Sequence, residues 1–106
     1  MTIVTYDSDG APIATIDLSK IPTIRELQEV TPIIVEQLVL PSDFSHPTIT
    51  IVLSNVFGWL QNVPDSGTVK LNSWKATVEQ VAQFAANELA DRMATYRPKV
   101  VVKIEA

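Results

Sequence analysis

Residues able to do chemistry are few and scattered. His46 is the single histidine, with Asp43 and Ser45 just before it. A carboxylate, a hydroxyl and an imidazole are the ingredients of a triad. A catalytic histidine, however, needs its two ring nitrogens aimed at different partners and a nucleophile held on a rigid element. Neighbours in one loop do not supply that, and the segment reads as a loop histidine beside Pro47. Asp7-Ser8-Asp9-Gly10 has the look of a partial calcium loop. With Gly10 in the glycine position, the first ligand falls on Thr5 and the closing bidentate acid on Ile16, so both positions fail. A tight turn is the expected reading. Asp7 and Asp9 could serve as acid and base, but no neighbouring residue marks either for a raised pKa.

The chain has no cysteine. Disulfides, iron–sulfur clusters, thiolate zinc and cysteine nucleophiles are therefore excluded. One histidine and dispersed carboxylates do not assemble a zinc site. No glycine-rich phosphate loop, dinucleotide fingerprint or nucleophile elbow occurs. The expectation is a chain with no catalytic residue, no metal ligand and no cofactor.

Charge and apolarity are more informative. The chain has 106 residues, 46% of them hydrophobic and 19% charged, with a net charge of −4. Its mean hydropathy is +0.18. An acidic balance argues against direct nucleic-acid binding, which needs cations to displace counterions from phosphate. A small domain has much surface per residue, so this much apolar character points to a face covered by a partner. The charge is also uneven. Residues 1–65 carry eight acids against Lys20 and Arg25, a net of −6, whereas residues 66–106 carry six bases against four acids, a net of +2. Complementary association of one subunit's acidic surface with another's basic region is one reading. An ordinary solvated surface is the plainer one. Mimicry of a nucleic acid fits poorly, because the acids are spread among apolar residues.

Two residues on the longest helical segment stand out. Phe84 lies off the apolar stripe, on the side of Thr77, Gln80 and Asp91, and Arg92 falls within the angular range of Trp74 and Tyr96. Aromatic and arginine side chains concentrate at interface centres, so Phe84 and Arg92 are the interface candidates. The plain alternatives are a contact of Phe84 within its own chain and an i, i+4 pair of Glu88 with Arg92.

The elements that must position these residues follow from patterning. Thr2–Tyr6 and Ala11–Leu18, joined by the Asp7–Gly10 turn, read as a β-hairpin. Thr23 and Glu26 match a capping box, and Ile24, Leu27 and Val30 follow at helical spacing. Pro32 should break or kink that helix, with Thr31 capping a second one towards Leu40. Pro41–Pro47 reads as a loop. Residues 48–63 carry both a β-branched run and a helical stripe. A strand to about Leu53 and then a short helix towards Leu60 is the expected compromise. Pro64–Gly67 is a turn and Thr68–Leu71 a candidate short strand. Trp74, Val78, Val81, Ala85, Leu89, Met93 and Tyr96 define a long amphipathic helix over 74–96, ended by Pro98. Lys99–Glu105 alternates as a half-buried strand.

The expected fold is a single α+β domain over 1–106. It is a two-layer sandwich whose largely antiparallel sheet, the N-terminal hairpin plus the C-terminal strand, packs on helix 74–96 and shorter helices. The expected function is that of a non-catalytic interaction or assembly protein, a subunit, adaptor or inhibitor, with a second copy of itself as partner. The alternative is a small α+β enzyme or small-molecule binder with an apolar pocket lined by Trp59, Trp74 or Tyr96. The N-terminus has no basic leader, and the apolar heart Ile49–Leu60 is too short for a bilayer, so no membrane partner is expected. A cytoplasmic protein fits, and a virion component made in the cytosol would show the same features.

Overall fold

A computed structural model describes residues 2–39, 47–63, 71–93 and 96–106. Over these described residues it is an α+β fold with one four-stranded sheet and three α-helices. Strands β1 (Thr2–Tyr6) and β2 (Pro12–Asp17) form the hairpin. Its turn is built by Asp7, whose Oδ1 accepts the N–H groups of Asp9 at 2.8 Å and Ala11 at 2.9 Å. Gly10 supplies the positive φ of 82° that a side chain would resist. A single 3₁₀ turn, Leu18–Lys20, leads out of β2.

Helix α1 spans Ile24–Val39, and the Thr23 hydroxyl caps it by accepting the Glu26 N–H at 3.1 Å. The expected break at Pro32 does not occur, and the helix runs through it. Thr31 is an interior residue rather than a cap. Its buried hydroxyl donates to the Leu27 carbonyl at 2.7 Å, so it satisfies itself within the helix. Strand β3 (Thr48–Ser54) and the short helix α2 (Val56–Asn62) divide the ambiguous segment as its two patterns suggest. The switch falls at Asn55, which takes a left-handed conformation (φ 60°).

Helix α3 spans Leu71–Met93, shorter at its end than the stripe implies, and Tyr96 lies outside it, exposed. Leu71 is helical, not part of a strand. Strand β4 (Lys99–Ile104) closes the sheet. The Pro64–Gly67 turn, residues 68–70 and His46 with its neighbours Asp43 and Ser45 lie outside the described residues.

The sheet departs from the expected one. Its order is β1-β2-β3-β4, with β1–β2 antiparallel but β2–β3 and β3–β4 parallel. It is mixed and mostly parallel, not largely antiparallel. The physical reason is β3. It sits between the hairpin and the last strand, and each of its connections contains helix, long enough to return the chain to the same end. Both crossovers step the same way along the sheet. Right-handed connections then put their helices on one face, and α1 and α3 do pack on each other.

Burial follows. Ala14, Ile16, Ile49, Ile51, Leu53, Val100 and Val102 are buried with Leu27, Val35 and Val39 of α1 and Val78, Ala82, Ala86 and Leu89 of α3. The opposite sheet face, including Ile13, Thr15, Val52 and Val101, is half-buried. At the hairpin edge the cover ends, and Ile3, Val4 and Tyr6 are exposed.

Candidate functional site

Phe84 and Arg92 come together on one feature, an open groove between α1 and α3 of about 640 Å³. Its apolar lining is Pro32 from α1 and Val81, Ala85 and Leu89 from α3, all buried or half-buried. Its exposed rim carries Glu36, Gln80, Glu88 and Arg92, with Phe84 beside them at 67% exposure. The groove exists because α3 turns its smallest residues inward. Ala82 and Ala86 are fully buried, so the helix sits close to its neighbours, and Val81 and Ala85, one residue earlier, are left half-buried at the seam. Arg92 does not form the i, i+4 carboxylate pair. Its Nε donates to the Glu88 carbonyl at 3.4 Å, a long contact that leaves the guanidinium on the rim.

The aromatic trio of the pocket expectation is not gathered there. Trp59 is buried, and its Nε1 donates to the Ile21 carbonyl at 3.0 Å. Trp74 meets it edge-on, with ring centroids 6.5 Å apart and planes at 88°. Among the described residues the buried Trp74 indole nitrogen has no hydrogen-bond partner. Trp59 also lines a smaller hollow, of about 480 Å³, where β2 and β3 end. Beside this hollow the Asp17 carboxylate accepts Ser19 Oγ at 2.6 Å, Ser19 N–H at 3.0 Å and Asn55 Nδ2 at 2.8 Å. The Ser19 and Asn55 side-chain donors hold its carboxyl down at about 2. The carboxylate ties the end of β2 to the end of β3, and its hydrogen-bonding capacity is spent on structure. Asp7 is occupied in the same way by its own turn. Among the described residues no group of three or more acidic or histidine side chains could hold a metal.

Two features escape the sequence reading. The first is Gln83, half-buried on α3. Its Oε1 accepts the Val100 N–H at 2.9 Å, and its Nε2 donates to the Pro98 carbonyl at 2.9 Å. Lys99 N–H and Glu105 N–H point to β3, so Pro98 and Val100 belong to the outer side of β4. The Gln83 amide thus stands in for part of a fifth strand. The second is β1, whose outer side carries no such cover among the described residues. Its signal was present in the sequence: Thr2-Ile3-Val4-Thr5-Tyr6 has neither a charge nor a proline to protect an edge. No described helix is long and apolar enough to cross a membrane. No known protein family, curated protein or solved structure matches the chain.

Proposed function

We propose that this is a non-catalytic interaction or assembly protein that self-associates, with the α1–α3 groove as a contact and Phe84 and Arg92 as its anchors. The observation that carries the reading is an exposed Phe84 beside an open, apolar groove. An aromatic ring left in water next to unfilled apolar surface gains by burial in a copy of the same groove. The rim is self-complementary in charge, since Glu36 and Glu88 of one copy can face Arg92 of the other about a two-fold axis. The finer expectations belong to this proposal: a two-layer helix-on-sheet domain, acidic and soluble, working without cofactor or nucleic acid in the cytoplasm or in a particle assembled there.

Light scattering after size exclusion tests it. Wild type at tens of micromolar should have a mass above 11.7 kDa. Phe84→Glu, folded by circular dichroism, should lower that mass, because it sets an unpaired charge into the contact. A wild-type mass near 11.7 kDa, or an unchanged mass in folded Phe84→Glu, refutes self-association through the groove. The groove's volume supports a second reading, a small-molecule binder, since such pockets run from roughly 300 to 1,000 Å³. An apolar dye bound by the protein and displaced by Phe84→Glu without any change of mass would favour it.

A further inference from the structure

The two edges of the sheet are treated differently. β4 carries the exposed Lys99 and Lys103, and Gln83 takes its outward N–H at Val100 and outward carbonyl at Pro98. Those are the ordinary defences of an edge strand. Among the described residues, β1 has none of them. Its inner side is fixed by one bond: Asp7 N–H donates to the Ala11 carbonyl at 3.0 Å. In an antiparallel ladder, backbone direction alternates along the strand. Thr5 and Ile3 therefore also point at β2, and the N–H and C=O groups of Thr2, Val4 and Tyr6 turn outward. Both faces of the strand are open as well, with Ile3 61%, Val4 41% and Tyr6 69% exposed.

We infer that β1 is a strand-addition surface for a second copy of this chain, pairing antiparallel about a two-fold axis at Val4 and joining two four-stranded sheets into one. This deepens the self-association proposed above by naming a second contact, on a different face from the groove. The outward groups sit symmetrically about Val4. Val4 of one copy exchanges both bonds with Val4 of the other, and Thr2 does so with Tyr6. Charge favours this partner and this direction. The chain is acidic overall at −4, yet β1 is neutral, so two copies can meet there without like charges opposed. Antiparallel pairing also sends the acidic Asp7–Asp9 turns to opposite ends of the joint, whereas parallel pairing would stack them.

The experiment needs wild type, Val4→Lys, Val4→Glu and Phe84→Glu, read by light scattering and by amide exchange. Because Val4 meets itself at the axis, each charged variant alone opposes like charges and should have a lower mass than wild type. An equimolar mixture of the two should regain it. In wild type, exchange at the Val4 and Tyr6 N–H groups should slow as concentration rises, and Phe84→Glu should keep that slowing. Failure of the mixture to regain mass overturns the inference, as does an unchanged mass in each folded variant. Exchange at Val4 and Tyr6 that stays fast at every concentration overturns it without any substitution at the edge. The groove is judged separately, by the mass of Phe84→Glu alone.

Discussion

Removing the Gln83 amide should loosen the β4 edge. Gln83→Ala deletes two hydrogen bonds of 2.9 Å at the β4 edge, one to the Val100 N–H and one to the Pro98 carbonyl, and a third within the helix, from Nε2 to Asn87 Oδ1 at 3.1 Å. A net hydrogen bond contributes about 0.5–1.5 kcal/mol, so the two at the edge give roughly 1–3 kcal/mol, and the i, i+4 pair adds about 0.2–0.5 kcal/mol. Gln83 is only half-buried, and water can partly replace the lost partners, which favours the lower half of that range. Alanine's better helix propensity returns a few tenths of a kcal/mol at most. The expected loss is therefore about 1–2 kcal/mol in urea unfolding. Gln83→Glu separates the two bonds. It keeps an acceptor for Val100 N–H but sets a carboxylate oxygen against the Pro98 carbonyl, and should destabilise while leaving Val100 protected from exchange. Faster amide exchange at Val100 in Gln83→Ala, beyond that at Val102, is the local signature. A stability change under about 0.5 kcal/mol with Val100 protection unchanged would refute the edge-capping role.

Leu89→Ala, in the buried row of α3, should cost about 2–5 kcal/mol in denaturant melts, towards the low end because the groove beside it lets the cavity relax; a loss below about half a kcal/mol would refute its place in the core. Asp17 has its carboxyl lowered from 3.8 to about 2, so its stabilising contribution is complete above 3.8 and disappears as the pH falls through about 2. Asp17→Asn should consequently unfold at lower urea than wild type at neutral pH, with the difference closing in strong acid; a difference independent of pH would refute the assignment.

Local chemistry was the legible part of this fold. Asp7 and Gly10 announce their turn, Thr23 its cap, and the change from a β-branched run to a helical stripe marks the passage from β3 to α2. Each signal acts over a few residues. Sheet order is different, because no residue in β3 encodes whether it lies beside the hairpin or beyond the last strand. On α3 the expected stripe holds at Val78 and Leu89, both buried, and shifts by one residue only between them, from Val81 and Ala85 to Ala82 and Ala86, for a related reason. Pattern reading weights bulky side chains, whereas the fully buried positions are Ala82 and Ala86, whose smallness matters only once a neighbouring helix is in place. The break expected at Pro32 is absent because a helix packed through Leu27, Ile34 and Val35 can bear the loss of one backbone donor. Phe84 and Arg92 could be singled out on their own helix, but not the facing Pro32 and Glu36 that complete the groove. Nothing in the sequence marks the role of Gln83, since its partners Pro98 and Val100 lie beyond the helix end, at the start of β4.

The strand order β1-β2-β3-β4 repeats the order of the chain. Each strand leaving a ribosome therefore finds its sheet neighbour already synthesised, and the sheet can grow in one direction without inserting a late strand between earlier ones. Domains generally assemble as the chain emerges, at about 5–20 residues per second. Growth of this kind advances only one edge. That edge is finished when β4 arrives, and Gln83 precedes β4 in the chain, so its cover is made before it is needed. Of the four strands β1 is made first, and among the described residues nothing is added to its outer edge, so the surface proposed above for a second copy exists before the rest of the sheet is complete.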